Sequence, residues 1–232
     1  MGFQPGAVIS TDMQNTVPNL LLQMAVAHNG MRVMTVKSAE MFGKLSAQVP
    51  VQGAVFAGGG SFLNKAPLPI AGLEAEALLK LAGKAAEGAT DRNADLAYYG
   101  SAEPTTNREV YLYGVGTAGT LEVRSSDQVC VAASLNHPYG LGGAIGATVR
   151  SAAVHLPESP LLITDKHQLG PLRESAKGGS KLRGGVVKVG SGYDLLLEKE
   201  RVGDAGLWTL GGGDEVFRPL FDACVDKYYS YK

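Results

Sequence analysis

Cysteine, long apolar runs and an excess of charge of either sign are all missing or scarce in this sequence of 232 residues. Its two cysteines, Cys130 and Cys224, each lie in an apolar run, which predicts buried thiols. A formal net charge of −1 gives no electrostatic reason to expect nucleic acid or an anionic membrane surface as a partner. No apolar run approaches the roughly 18 residues of a membrane span, and no basic segment with an apolar core opens the chain. We therefore expect a cytoplasmic protein.

Aromatic residues are few, at 7%, whereas glycine is frequent, with 31 residues. This balance favours tight turns and close backbone approaches over large aromatic ligand cages. Strand and helix patterns alternate along the chain, and no linker or low-complexity tract divides it. The sequence therefore predicts a single compact α/β domain of mixed α+β type over residues 1–232, with a β-rich N-terminal portion (1–125) and a second portion (126–232).

The periodicity of apolar residues predicts the individual elements of both portions. Residues 1–10 are expected to form an irregular arm or edge strand. Thr16 is expected to cap a helix whose apolar stripe consists of Leu21, Met24, Ala25 and His28. The remaining predictions are strands at 31–36, 51–57, 128–133, 184–189 and 193–198, and helices at 38–45, 72–87 and 215–228.

The segment from Gly114 to Gly119 matches the dinucleotide-binding fingerprint in its glycine spacing. That fingerprint requires a helix to begin at the glycines, so that the N-terminus of the helix meets a pyrophosphate. Here the preceding residues 109–113 and the following residues 120–124 both alternate like strands. We therefore predict a hairpin turn at this segment rather than a nucleotide site.

The middle of the chain carries the motifs on which a catalytic hypothesis depends. The glycine-rich segment from Gly142 to Gly146 precedes small and branched apolar residues, which predicts a helix whose first N–H groups could hold an oxyanion. Thr164 follows the apolar strand from Leu161 to Ile163, and Lys181 follows a Gly-Gly-Ser turn. A desolvated lysine can lose its proton near neutral pH and act as a base for a hydroxyl nucleophile.

In order and spacing, these motifs resemble the proteolytic domain of the Lon family, and more closely the polyprotein proteases of birnaviruses, over residues 129–225. The resemblance implies a Lon protease-like fold and a serine endopeptidase with a Ser–Lys dyad that cleaves a viral polyprotein, including its own flanking junctions. It also implies an extended peptide or polyprotein substrate, no cofactor and no metal, and the cytoplasm of a host cell as the location.

The same resemblance assigns roles to individual residues. Position 144 is that of the nucleophilic serine, Lys181 is the general base, and Thr164 orients the lysine, while the backbone N–H groups of Gly143 and Ala144 hold the oxyanion. This chain has Ala144 at the nucleophile position and Asp165 in place of a glycine. Since alanine has no group to attack with, the chain is an inactivated Ser-to-Ala variant, a natural relative without catalysis, or aligned in the wrong register.

Other hypotheses remain open at the level of sequence. The chain could be a catalytically dead scaffold or peptide-binding protein with the protease fold, or a nucleotide-dependent enzyme that uses Gly114 to Gly119. Ser134 and Ser151 are alternative nucleophiles, but Ser134 lacks flanking glycines and Ser151 lies two turns into the predicted helix. A thiol pair of Cys130 and His137 is disfavoured because a thiol buried in a strand is poorly placed for attack.

Overall fold

The computed structural model describes residues 3–65, 71–74, 94–149, 153–155, 161–168, 184–189, 192–198 and 208–211. The chain divides into two compact units, Met1–Glu109 (unit 1) and Val110–Lys232 (unit 2), whereas the sequence suggested one compact domain. The described helices are α1 (Val17–His28), α2 (Ala39–Ser46), α3 (Phe62–Lys65), α4 (Asn107–Thr120) and α5 (Pro138–Val149). The described strands are β1 (Val8–Thr11), β2 (Arg32–Thr35), β3 (Gly53–Phe56), β4 (Ala71–Glu74), β5 (Asp95–Tyr99), β6 (Thr105–Thr106), β7 (Gln128–Val131), β8 (Ala153–His155), β9 (Leu161–Asp165), β10 (Gly184–Val189), β11 (Gly192–Glu198) and β12 (Trp208–Gly211).

Sheet A, in unit 1, has the strand order β4-β3-β1-β2-β5-β6 and is parallel except for the β5–β6 pair. The chain passes from β1 through α1 to β2 on one side, and then through α2 to β3 on the other side of β1. All four residues of β1 are buried, so the expected arm or edge strand is instead a central strand. Burial on both faces is typical of a parallel sheet covered by helices.

Helix α1 begins where the sequence predicts but buries a different face. The Thr16 side chain caps the helix by accepting the N–H of Asn19. The predicted apolar stripe is exposed, with Leu21 at 44% and Met24 at 41%. The buried residues are Asn19, Leu22, Gln23 and Val26. The polar side chains of Asn19 and Gln23 thus face the interior of unit 1. They can be buried because both have hydrogen-bond partners there.

Three of the predicted elements of unit 1 agree with the structure, and one does not. Strands β2 and β3 and helix α2 lie within two residues of their predicted bounds. The predicted helix at 72–87 is wrong at its start, since Ala71–Glu74 pairs with β3 as strand β4, and its other residues lie outside the described ranges.

The hydrophobic core of unit 1 lies between sheet A and the segments that follow its strands. Its buried residues are Val8, Met34, Val36, Leu45, Ala54, Phe56, Leu63 and Tyr98.

Sheet B, in unit 2, has the strand order β12-β11-β10-β9-β7-β8. Strands β8, β7, β9 and β10 run parallel, and β10, β11 and β12 are antiparallel to their neighbours in turn. The chain leaves β7, forms α5, and returns as β8 on one side of β7, whereas β9 pairs on the other side. The strand order therefore reverses at β7 in sheet B, as it does at β1 in sheet A.

The segment predicted to be a hairpin is helix α4, and its glycines serve a close helix crossing. A Cβ on Gly114 would lie 2.6 Å from the Gly142 carbonyl oxygen and 3.1 Å from the Gly146 nitrogen, so the backbones of α4 and α5 touch. The fingerprint spacing thus allows two helices to pack, and the glycines lie inside a helix rather than in the turn before one, as phosphate binding would require. The predicted strands at 109–113 and 120–124 are wrong.

The start of α4 carries a capping box that the strand prediction overlooked. The Glu109 carboxylate accepts the N–H and the hydroxyl of Thr106, and the Thr106 hydroxyl accepts the Glu109 N–H. A Thr-x-x-Glu sequence is a recognised signal for a helix N-terminus. This signal is local, so it could have identified α4 without knowledge of its tertiary contacts.

The other elements of unit 2 follow the sequence more closely. Strands β7, β9, β10 and β11 lie at their predicted positions. The predicted closing helix at 215–228 and Cys224 lie outside the described ranges. Cys130 is buried in β7, as predicted, and burial raises the pKa of its thiol. None of the helices in the described ranges combines the length and the apolarity that a membrane span needs.

Candidate functional site

The carboxyl edge of sheet B brings together the titratable side chains of the candidate site. Strands β7, β9 and β10 are parallel, so their last residues and the loops after them meet at one edge. In open α/β sheets, ligands bind outside this edge at the point where the strand order reverses, which here lies beside β7. The loop after β7, residues 132–137, connects this strand to α5.

His137 and Lys188 are in direct contact at this edge. The Lys188 Nζ atom lies 2.8 Å from His137 Nε2, although the two residues are 51 positions apart in sequence. His137 precedes the first residue of α5, and its carbonyl oxygen accepts the Leu141 N–H. Lys188 is the penultimate residue of β10 and is half-buried. A base and an amine are therefore held together where a ligand would enter.

His137 contacts the N-terminus of α5 through one ring nitrogen and Lys188 through the other. Nδ1 lies 3.2 Å from the Tyr139 nitrogen and accepts its N–H, so the ring caps α5. A neutral ring whose Nδ1 is an acceptor carries its proton on Nε2. In that tautomer the Nε2–H group faces Lys188 Nζ at 2.8 Å, and Nζ accepts it only as an unprotonated amine.

Burial and a nearby carboxylate act on Lys188 in opposite directions. Desolvation lowers the pKa of the Lys188 ammonium, and the charge of Asp165 raises it by a smaller amount, so the net pKa is below its ordinary value. Asp165 is the register partner of Lys188 on β9. Its Oδ1 atom accepts the N–H groups of His167 at 2.9 Å and Gln168 at 3.0 Å, which offset much of its charge.

Tyr139 joins the start of α5 to sheet B. Its hydroxyl donates to the Val186 carbonyl oxygen at 2.9 Å, and its ring packs edge to face against Tyr113 at a centroid distance of 6.4 Å. Gly140 also lies against the loop, since a Cβ there would come within 2.9 Å of the Ala133 carbonyl oxygen. The loop that carries His137 is therefore held from both sides and has little freedom to move.

Ala144 and Gly143 lie in the middle of α5 rather than at its N-terminus. The helix begins at Pro138, so the N–H groups of both residues lie beyond the first turn and are used inside the helix. Ala144 is fully buried, and its carbonyl oxygen accepts the Thr148 hydroxyl. The structure therefore places these two residues at a helix crossing and not at the helix start that the predicted oxyanion site requires.

Thr164 is buried in β9, on the face of sheet B opposite to the one that packs on α5. Ile163 lies on the α5 face, since a Cβ on Gly143 would meet its side chain, and adjacent strand residues point to opposite faces. The Thr164 hydroxyl contacts the Asp165 carbonyl oxygen at 3.4 Å. The structure therefore does not bring Thr164 to Ala144. Lys181 and Ser151 lie outside the described residues.

The sequence prediction missed Lys188 and gave His137 only a minor role. Lys188 stands in the strand Val-Val-Lys-Val, where a charged residue near the carboxyl end of an otherwise apolar strand was a usable signal. His137 precedes Pro138, a residue favoured in the first turn of a helix, so it could have been identified as a cap. Their contact depends on sheet pairing and has no local signal. The hydroxyl of Ser134 accepts the Asn136 N–H and shapes the same loop.

The corresponding edge of sheet A is filled by hydrogen bonds within the protein. The Ser61 hydroxyl donates to the Asp12 carboxylate at 2.5 Å and also accepts the Leu63 N–H. The Asn19 amide donates to the Met13 and Gln14 carbonyl oxygens. These bonds explain the polar residues at this edge as structural, so the candidate site is the one in unit 2.

Comparison with solved structures assigns the fold. The chain is similar to O-succinylbenzoate coenzyme A synthetase (MenE) from Bacillus subtilis in complex with ATP and magnesium ion, with a TM-score of 0.67 and 14% identity over 88% of this chain and 60% of that one. It is also similar to a Mycobacterium tuberculosis fatty acyl CoA synthetase, with a TM-score of 0.64 and 15% identity over 78% of this chain and 44% of that one. A third match is the N-terminal domain of FACL13 from Mycobacterium tuberculosis, with a TM-score of 0.64 and 14% identity over 78% and 56%.

At these identities the likeness shows the fold alone, and the chain spans only about half the length of the structures it matches. No protein-family model and no curated protein sequence matches the chain. The likeness nevertheless overturns the resemblance to birnavirus proteases. The predicted Lon-like fold, the serine endopeptidase activity and the processing of a viral polyprotein are wrong, and the catalytic roles given to Ala144, Thr164 and Lys181 lose their basis. The α/β fold of the chain resembles that of the N-terminal domain of acyl-CoA synthetases.

Proposed function

We propose that unit 2 provides the acid-binding site of an acyl-CoA synthetase-like protein, in which Lys188 and His137 receive the carboxyl group of the acyl substrate. The observation that carries this proposal is the 2.8 Å contact between the two side chains beside the reversal of strand order in sheet B. The similar structures are named as synthetases of O-succinylbenzoate-coenzyme A and of fatty acyl coenzyme A, whose acyl groups derive from carboxylic acids. Their names support an acid as the ligand class here.

A carboxylate that reaches this pair changes the protonation of the lysine. Lys188 Nζ lies 2.8 Å from His137 Nε2, and desolvation lowers the pKa of its ammonium form. A carboxylate within hydrogen-bond reach favours the ammonium form, so binding draws one proton to Lys188 and forms a charge-assisted hydrogen bond. The N-terminus of the twelve-residue helix α5 adds a favourable field for an anion. The Nδ1 atom of His137 accepts the Tyr139 N–H, which leaves Nε2 to face Lys188.

The proposal covers the acid and not a nucleotide. One similar structure is named as a complex with the acyl-adenylate OSB-AMP, and another as a complex with ATP and magnesium ion. Within the described ranges no group of three His, Cys, Asp or Glu side chains is placed to hold a metal ion. We assign His137 and Lys188 to the acyl end of the substrate.

The test is a binding titration of the full chain with benzoate and octanoate, each paired with its neutral amide as a control. We expect saturable binding of at least one acid and not of its amide. Lys188→Ala should weaken that binding by roughly 10- to 100-fold, the range expected for one hydrogen bond to a charged group. The exposed Lys166→Ala variant is the matched control and should bind like the parent. Equal binding of acid and amide, or an unchanged affinity in Lys188→Ala, would contradict the proposal.

A further inference from the structure

We propose that Tyr139 is the positioning residue of this site, which keeps His137 and Lys188 in contact by binding the imidazole of one and the strand that carries the other. The tyrosine touches no substrate and acts through the two side chains that receive it. Its consequence for acid binding rests on the proposed function, whereas its effect on the contact is measured without a ligand.

Tyr139 reaches the two members of the pair through different groups. Its backbone N–H donates to His137 Nδ1, with 3.2 Å between the two nitrogens. Its hydroxyl donates to the Val186 carbonyl oxygen at 2.9 Å, and Val186 lies two residues before Lys188 on β10. Together with the 2.8 Å contact between His137 Nε2 and Lys188 Nζ, these bonds close a ring. A movement of β10 relative to the start of α5 therefore stretches at least one of the three contacts.

The burial of Tyr139 suits it to hold the pair. Its side chain is fully buried, and so is its hydrogen bond to Val186. Such a bond is costly to break, because neither partner can turn to water instead. The side chains of His137 and Lys188 are only half-buried, so solvent competes for their contact. The buried bond of the tyrosine therefore supports a contact that is weaker by itself.

The conformational entropy of lysine explains why this support matters. A lysine side chain loses much rotamer freedom when its amine is held in one place. Tyr139 fixes the imidazole and the lysine strand in advance, which reduces the cost that the contact itself must offset. Loss of the tyrosine hydroxyl should therefore separate the two side chains, although the hydroxyl lies at neither of them.

The contact is tested by NMR of the full chain without any ligand. Nuclear Overhauser cross-peaks between the imidazole protons of His137 and the Cε protons of Lys188 report their proximity. We expect these cross-peaks in the parent and their loss in Tyr139→Phe, which keeps an aromatic ring against Tyr113 and removes only the hydroxyl. Cross-peaks that persist at the parent intensity in Tyr139→Phe, or that are absent from the parent, would overturn the proposal.

Tyr99→Phe is the matched control. It removes the hydroxyl of another tyrosine, which donates to the Gln23 side chain at 2.8 Å in unit 1. Both variants lose one tyrosine hydrogen bond and should lose stability in urea to a similar extent. The cross-peaks should be lost only in Tyr139→Phe. Their loss in both variants would indicate a general loosening of the chain and would overturn the assignment to Tyr139.

A double-mutant cycle on acid binding separates this inference from the proposed function. Tyr139→Phe should weaken the binding of benzoate or octanoate by roughly 3- to 10-fold in the parent and by less than about twofold in the Lys188→Ala background, because the tyrosine acts through the lysine. Equal losses in both backgrounds would overturn the positioning role. Loss of the cross-peaks in Tyr139→Phe, with no binding of either acid to the parent, would support the positioning role and contradict the proposed function.

Discussion

Both units have a reversal of strand order in their sheet, but the side chains beside the reversal differ in chemistry. In each sheet the strand order reverses at an internal parallel strand, β1 in sheet A and β7 in sheet B, and each of these strands is followed by a helix of twelve residues. At the edge of sheet A, Asp12 and Ser61 are hydrogen-bonded to each other. At the edge of sheet B, the side chains of His137 and Lys188 are in contact, with Nε2 2.8 Å from Nζ. A shared topology therefore supplies the place for a site, and the loop residues decide whether a site exists.

The caps of the two helices show this difference most simply. Thr16 uses its hydroxyl to accept the Asn19 N–H at the start of α1. His137 caps α5 with one ring nitrogen, and its second nitrogen reaches a neighbouring strand. The hydroxyl cap thus contacts its own helix, whereas the imidazole cap also contacts a lysine on a neighbouring strand. The following three predictions test the comparison, in order of decreasing effect.

Gly140→Ala should disturb the loop of unit 2 most strongly. Its Cβ would fall against the carbonyl oxygens of Ser134 and Ala133, which are backbone atoms and cannot rotate away. We expect the free energy of unfolding to fall by about 1–3 kcal/mol. Urea denaturation measures this effect.

The matched control for that change is Gly43→Ala in α2. No atom lies within 4 Å of a Cβ at Gly43, so the substitution should stabilise the helix by roughly 0.5–1 kcal/mol. If Gly140→Ala proves as stable as the parent, the loop is not held by the close approach that the structure shows.

Asn19→Ala tests whether the polar residues of unit 1 are structural. Its amide donates to the Met13 and Gln14 carbonyl oxygens, and its oxygen accepts from Gln23. Removing these partners from a buried position should lower the free energy of unfolding by about 2 kcal/mol. The control is Asn29→Ala at the exposed end of the same helix, which should change stability by less than about 0.5 kcal/mol. Small and equal effects of both changes would contradict the structural role of Asn19.

Tyr99 shows how a titration acts on stability in unit 1. Burial raises the pKa of its hydroxyl far above the ordinary value of 10.0, and the hydroxyl donates to the Gln23 side chain at 2.8 Å. The folded state therefore keeps its proton where the unfolded state loses it, so this contribution to stability is complete below about pH 10 and declines above it. We expect Tyr99→Phe to lower stability by about 1 kcal/mol at pH 7 and to reduce the loss above pH 10.

Urea denaturation at pH 7, 9 and 10.5 measures this dependence. Identical pH profiles for the parent and Tyr99→Phe would contradict it.

The pH dependence that Lys188 contributes in unit 2 has the opposite sign, since its lowered pKa makes protonation in the folded state unfavourable. Its contribution to stability therefore increases as the pH rises towards the ordinary lysine value of 10.5.

Local signals in the sequence predicted most of the short elements correctly. The Thr16 cap, the alternation in β2 and β3, and the apolar run of β9 each depend on neighbouring residues alone. Where the local pattern was ambiguous, the prediction was wrong. In residues 109–120, apolar and polar residues alternate weakly, and this pattern suggested strands. The capping box at Thr106 instead indicates a helix. The apolar stripe of α1 pointed to the wrong face, because the buried Asn19 and Gln23 find partners that no periodicity contains.

The functional assignment failed for a related reason. Glycines between Gly142 and Gly146 are compatible with a helix start beside an oxyanion and equally with a close helix crossing, and only the packing of α4 on α5 distinguishes the two. A local motif was therefore assigned a catalytic role that the position of the helix start, at Pro138, excludes.

The sequence by itself determined the caps, the buried strands and the burial of Cys130, because each depends on residues within one or two turns of the chain. The order of the strands, the reversal at β7 and the contact of His137 with Lys188 were decided only by tertiary structure. That contact joins a loop and a strand 51 residues apart, and it exists because β9 pairs between β7 and β10 and brings their carboxyl ends to one edge. Strand pairing is a global choice among competing arrangements, so no local pattern encodes it.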